Sequence, residues 1–211
     1  SQMGRWEVPA QKWIDLSNDD FGVTLINYSK YGFNVIENVL KMTVLRTPQY
    51  PRGGAALQIS DLKKITDLGK HSVKYALKIH KGKKFAINEA HEFNDDFLVS
   101  KTSPHKGILP KKFSFLKIEP NTIILSAFKS YEDGKSDESK YILRIYEAYG
   151  NQTSCKINFA SNFKILEVFE TDLLEFNPKK INDHNEDTIE VQLGKFEIKT
   201  LLISLKLSEN L

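Results

Sequence analysis

The 211-residue chain predicts an all-β protein made of antiparallel β-sandwiches, a partial larger sandwich followed by a smaller immunoglobulin-like one. Three observations carry this prediction. Apolar and polar residues alternate with a period of two through many short runs, the pattern of half-buried strands. Turn-forming clusters separate the runs at short, even intervals, as sandwiches require. Helical spacing occurs in one place, where Ala86, Ala90 and Phe93 share a face and Asn94-Asp95-Asp96 would end the helix.

The elements follow in order. Gly22–Asn27 and Val39–Leu45 read as strands in a meander that begins near Trp6, with Ser17-Asn18-Asp19-Asp20 and Ser29-Lys30-Tyr31-Gly32 as turns. A long loop runs from Gln49 to Ile65 around the breaker cluster Pro51-Arg52-Gly53-Gly54. A short helix is expected near residues 85–93. The polar stretch from Ser100 to Gly107 divides the chain into a first domain, 1–107, and a second, 108–211. In the second, Ile123–Phe128, Tyr141–Tyr146, Ser154–Phe159, Lys164–Phe169, Ile189–Leu193 and Glu197–Leu207 read as strands. Glu132-Asp133-Gly134-Lys135, Gly150-Asn151 and the segment Asn182 to Asp187 read as turns between them.

Composition narrows the function. Hydrophobic residues make up 40% of the chain, enough to fill a core. The formal charge of +3 comes from 30 basic and 27 acidic residues with no clustered basic face, which argues against a nucleic-acid partner. No stretch approaches the length of a membrane span, so no membrane partner is expected. The single cysteine, Cys155, fits a reducing compartment, and with a polar opening segment that shows no apolar leader the expected location is the cytoplasm. Asn27-Tyr28-Ser29 and Asn151-Gln152-Thr153 match the glycosylation pattern by chance on this reading.

Catalytic chemistry is not legible. The histidines at 71, 80, 91, 105 and 184 show no ligand spacing, and one cysteine makes no Cys-x-x-Cys pair, so no metal site is expected. The adjacent pairs Asp19-Asp20, Asp95-Asp96, Glu132-Asp133 and Asp137-Glu138 read as solvated turn residues. There is no Gly-x-Ser-x-Gly and no phosphate-cradling loop. Trp6, Trp13, Tyr28, Tyr31 and Phe33 cluster in sequence. Aromatic packing in strands accounts for Trp13 and Phe33, whereas Tyr31 has a polar tip in a turn.

Several blocks resemble the carboxy-terminal region of glycoside hydrolase family 38, the α-mannosidases. They are Glu7-Val8-Pro9-Ala10, Trp13, Asp15-Leu16-Ser17, Gly22-Val23, Asn27, Lys30-Tyr31-Gly32 and Leu45-Arg46-Thr47-Pro48. Asp67-Leu68-Gly69-Lys70-His71, Tyr75-Ala76-Leu77, Ser126-Ala127-Phe128-Lys129 and Glu132-Asp133-Gly134 continue the series. Leu143-Arg144-Ile145-Tyr146-Glu147, Glu170-Thr171-Asp172-Leu173-Leu174-Glu175 and Phe196-Glu197-Ile198-Lys199-Thr200 complete it, in family order.

The resemblance implies a non-catalytic β domain of an enzyme that removes terminal α-linked mannose. Zinc and an aspartate nucleophile would reside in an amino-terminal catalytic domain that nothing in this chain resembles. Such a retaining glycosidase needs carboxyl groups ~5 Å apart, which adjacent strand residues on opposite faces do not provide. The implied partners are that catalytic domain and a mannose-containing carbohydrate, with a second copy of the chain as another way to cover an incomplete sandwich. Tyr31 and Arg46, at strand ends in the best-matching segment, are the candidates for the substrate rim. A stand-alone carbohydrate-binding module and a purely structural interaction domain are the alternatives.

Overall fold

A computed structural model describes residues 7–46, 68–82, 85–107, 110–132 and 139–208. The predicted loop from Gln49 to Ile65 and most of the turn at Glu132-Asp133-Gly134-Lys135 lie outside them, as do Trp6 and the pair Asp137-Glu138. The chain divides into two compact units, Ser1–Ser100 and Lys101–Leu211.

The first unit holds two three-stranded antiparallel sheets. In one, β3 (Gly22–Asn27) lies between β2 (Trp13–Ser17) and β6 (Tyr75–His80). In the other, β4 (Gly32–Ile36) lies between the two-residue β1 (Val8–Pro9) and β5 (Val39–Met42). The fifth strand stops at Met42, short of the Leu45 that alternation predicts; Thr43 still donates its N–H to the Gly32 carbonyl. The predicted helix is present as α1 (Ile87–Asn94). Its small residues Ala86 and Ala90 pack on Ile26 of the central strand, with Trp13, Ala76 and Phe93 around them. Small side chains let the helix approach the sheet closely, and the Asn94 amide fastens its end by donating to the Asn27 carbonyl at 2.9 Å. Phe85, just before the helix, stacks on Trp13 at 5.6 Å between ring centroids.

The second unit is a complete sandwich. A five-stranded sheet runs in the order β12 (Lys179–Ile181), β11 (Phe163–Thr171), β14 (Ile198–Leu207), β9 (Lys140–Glu147), β8 (Ile123–Ser130). Facing it, β10 (Thr153–Phe159) sits between β13 (Thr188–Leu193) and β7 (Leu116–Glu119). All the pairings are antiparallel. Alternation sorts each strand into an inner and an outer face. On the tenth strand Cys155, Ile157 and Phe159 point inward and join Leu143, Ile145, Ile189, Leu201 and Ile203 in one core. Burial pushes the Cys155 thiol up to about 12, so it behaves as an apolar filler and not as a nucleophile.

One buried carboxylate organises the end of this sandwich. Glu147 is 1% exposed and accepts the N–H groups of Tyr149, Gly150, Asn151 and Phe196 at 2.7–3.2 Å. Burial opposes its ionisation, but these four donors outweigh burial and hold the carboxyl below the usual glutamate range. The turn it anchors needs glycine at 150. The backbone there has φ +76°, and a Cβ would lie 2.6 Å from the Phe196 ring.

Replacing Glu147 by Gln removes the charge from four buried donors and should cost about 1–3 kcal/mol at neutral pH. The lowered folded value means this stabilisation is fully present above about pH 4.3, the unfolded value, and fades as pH falls through the folded one. Urea titrations from pH 7 down to 3 should therefore show the gap between wild type and Glu147→Gln closing on the acid side.

Candidate functional site

The face of the β2–β3–β6 sheet turned away from α1 is apolar and only partly covered. By alternation it carries Leu16, Val23, Leu25, Tyr75, Leu77 and Ile79. Leu25 is buried, yet on the edge strand β6 Tyr75, Leu77 and Ile79 are 57%, 63% and 70% exposed. Leu40, Met42 and Val44 from the fifth strand and its continuation close the other side of a groove of about 450 Å³. Val39 and Leu45 add further exposed apolar surface close by in the chain. This is the largest concentration of uncovered apolar strand residues in the first unit's described part, and it coincides with an edge strand.

The two predicted rim residues both lie just outside the paired part of the β4–β5 hairpin. Tyr31 immediately precedes the fourth strand; its carbonyl accepts the Ala10 N–H at 3.0 Å, and its side chain is 56% exposed. Arg46 is exposed four residues past the end of the fifth strand. The pairing of Phe33 with Met42 puts both residues past the same open end of that hairpin. Trp13 and Phe33 are core residues, Phe33 with no exposure at all.

The helix-facing side of the same sheet holds a polar cluster that spacing did not reveal. Asp15, Thr24 and His80 come from three neighbouring strands. Thr24 Oγ1 donates to Asp15 Oδ2 at 2.5 Å, and His80 Nε2 lies 2.7 Å from the same oxygen. His80 Nδ1 faces the Gly82 carbonyl at 2.8 Å. The His80 and Asp15 side chains are 5% and 4% exposed. Thr24 Oγ1 also lies 3.2 Å from His80 Nε2, so hydroxyl, carboxylate and imidazole close a triangle of mutual contacts, sealed from solvent. It ties three neighbouring strands together. The register gives one visible signal for it: Gly22 opposes His80, and a Cβ at Gly22 would overlap the His80 ring.

Zinc does not fit the residues described. Among them no three His, Cys, Asp or Glu side chains gather closely enough to hold a metal ion. His80 is committed to Asp15 and Gly82, and His91 to Lys12 and Asp95. Asp19-Asp20 and Asp95-Asp96 are exposed turn residues. No helix of the described residues is long and apolar enough to cross a membrane.

In the second unit, blocks far apart in sequence converge. Arg144 donates to Thr200 Oγ1 at 3.1 Å, to the Leu173 carbonyl at 3.0 Å and to Glu175 at 3.3 Å. Glu147 binds the Phe196 N–H. Leu143–Glu147, Glu170–Glu175 and Phe196–Thr200 thus form one connected cluster, made of three of the five blocks that carry the sequence resemblance in this unit.

Two units built of antiparallel sheets define a β module. Comparison with known families specifies which kind. Residues 1–53 match the profile described as the glycosyl hydrolases family 38 C-terminal domain, and residues 122–201 match the family's C-terminal beta sandwich domain. The chain belongs to the carboxy-terminal β region of glycosyl hydrolase family 38. It is 30% identical to alpha-mannosidase 2C1 of Mus musculus over 98% of this chain, and 30% identical to alpha-mannosidase G of Dictyostelium discoideum over 93%. It spans only 19% and 17% of the lengths of those curated relatives. Two structures from Enterococcus faecalis, a family 38 protein and an alpha-mannosidase, share the fold with TM-scores of 0.70 at 18% and 20% identity. Each is matched over 93% of this chain and about a fifth of its own length.

Gly22→Ala should destabilise the chain by about 1–3 kcal/mol, because the new methyl overlaps His80 and lies 2.6 Å from the Ser17 Cβ. Asp15→Ala should cost about 1–3 kcal/mol by removing the buried oxygen that Thr24 Oγ1 and His80 Nε2 share. Urea midpoints at constant slope measure both.

Proposed function

We propose that this chain is the non-catalytic β support of an α-mannosidase that removes terminal α-linked mannose. The apolar groove of the first unit receives a segment of the catalytic portion of the same enzyme, and zinc is held in that portion. The observation that carries this reading is the uncovered row Tyr75, Leu77, Ile79 beside the half-lined groove. Burying one such side chain stabilises an association by roughly 1.5–3 kcal/mol, so three make this face a strong docking surface. The names of the relatives, and the fact that each is about five times as long, support a catalytic portion as the occupant.

Tyr31 and Arg46 then stand at the border between the docked portion and solvent, where they reach toward a mannose-containing substrate. An arginine donates up to five N–H groups to hydroxyls or a carboxylate, which suits that position. The buried, lone Cys155 agrees with a reducing compartment, and we place the protein in the cytoplasm.

The 211-residue chain alone should not hydrolyse an aryl α-mannoside, and it should bind a hydrophobic dye. Leu77→Lys with Ile79→Lys should lower dye binding while changing stability by no more than about 0.5 kcal/mol per site, since both side chains are exposed. In a polypeptide joining this chain to a family 38 catalytic region, the same pair should weaken assembly and activity. There, Tyr31→Phe or Arg46→Ala should reduce kcat/KM roughly ten- to a hundredfold without changing the melting temperature. Unaltered assembly in the double lysine variant contradicts the docking role. Unaltered kinetics in both rim variants removes only the rim role.

A further inference from the structure

The geometry points to a second binding site, in the sandwich of the second unit, for a neutral polyhydroxylated ligand of the saccharide class. A cavity of about 700 Å³ opens where the edge strands β12 and β13 of the two sheets face each other across the segment 182–187. That volume is in the range of small-molecule sites.

The site is built before any ligand arrives. Behind it, Lys199 has a side chain 9% exposed, paired with Glu170 at 2.8 Å and Glu197 at 3.2 Å. Burial alone would lower the lysine, but the two carboxylates outweigh it and keep the ammonium charged. The connecting segment is tied down by its own backbone. His184 bridges to Ile189, the Asn185 N–H donates to the Thr188 carbonyl at 2.8 Å, and the Glu190 N–H to the Asp183 carbonyl at 3.0 Å. Thr188 Oγ1 adds bonds to Asp187 at 3.0 Å and to Asn158 at 3.1 Å.

The lining chemistry selects the ligand. Asn182, Asn185 and Gln192 are side-chain amides, each able to donate and accept. Vicinal hydroxyls also do both, so amides in the lining match the hydroxyls of a sugar. Glu170 and Asp183 add acceptors for hydroxyl protons. Carboxylates outnumber the one ammonium in the lining, which disfavours an anion such as phosphate. Ile181, only partly buried, gives an apolar contact against which ring C–H groups can rest. Asn182, Asn185 and Gln192 are exposed and their backbones already paired, so they can meet a ligand without rearrangement. The site stands on the second unit alone and is independent of the docking face of the first.

The test is a backbone-amide chemical-shift titration of the 211-residue chain with methyl α-mannoside and methyl α-glucoside, and with spermidine and inorganic phosphate as contrasting probes. The expected result is saturable shifts confined to residues 179–193 and 199, with a Kd of about 1–10 mM for at least one glycoside. Asn185→Ala and Gln192→Ala, each at an exposed position, should each weaken that binding two- to tenfold, about the loss of one uncharged hydrogen bond. The spectra of both variants should otherwise overlay the wild type. No shift at about 50 mM glycoside, shifts centred elsewhere, affinity unchanged in both variants, or a response to spermidine or phosphate alone would each overturn the proposal.

Discussion

Strand β3 is covered on both sides, and the strand hydrogen-bonded to it is not. Toward the helix, β3 is sealed by Ala86, Ala90 and the Asp15–Thr24–His80 cluster. On the other face Leu25 is 6% exposed, while its cross-strand partner Leu77 is 63% exposed. Neighbours in one sheet, on one face, differ tenfold in exposure. Apolar side chains at alternate positions of an edge strand are costly to leave in water and invite pairing with another chain. The rest of the first unit follows from this imbalance. One face is closed by the helix, and the other leaves Tyr75, Leu77 and Ile79 exposed.

The second unit solves the same problem internally. Its two sheets bury each other, and Leu143, Ile145, Cys155, Ile157, Ile189, Leu201 and Ile203 have no exposure. Charged groups serve as fasteners at its ends: Glu147 collects four backbone donors, and Arg144 joins the ninth strand to the Leu173–Glu175 loop. The asymmetry between a self-sufficient sandwich and a half-covered one is the structural basis for reading the chain as part of a longer enzyme.

Much of this was legible in the sequence because alternation reports burial. Thr188–Leu193 and Thr153–Phe159 alternate cleanly and form strands where the pattern places them. The helix was legible from two alanines and Phe93, since small residues at that spacing admit a close sheet contact. What escaped were short edge strands such as Lys179–Ile181, too brief to show a period, whereas Tyr75–His80 falls in the stretch up to residue 81 that reads as strands outside the Gln49–Ile65 loop. The Asp15–Thr24–His80 cluster escaped because its members are 65 residues apart at the extremes and meet only through strand register. Gly22 was its one trace. Tyr31 and Arg46 were singled out by position at strand ends, which the structure puts past one end of the same hairpin; their rim role is the proposal made above. The polar cavity by Lys199 escaped because it is assembled from the edges of two sheets.

The account turns on whether the open face of the first unit is stabilised by a partner. Native-state hydrogen exchange resolves this strand by strand. In the 211-residue chain alone, the amides of Tyr75–His80 should exchange far faster than those of Ile198–Leu207, which lie in the centre of a complete sheet. When the chain is joined to a family 38 catalytic region, the protection of Tyr75–His80 should rise toward that of the central strand. Equal protection of both strands in the isolated chain, or no gain for Tyr75–His80 on joining, would contradict the account.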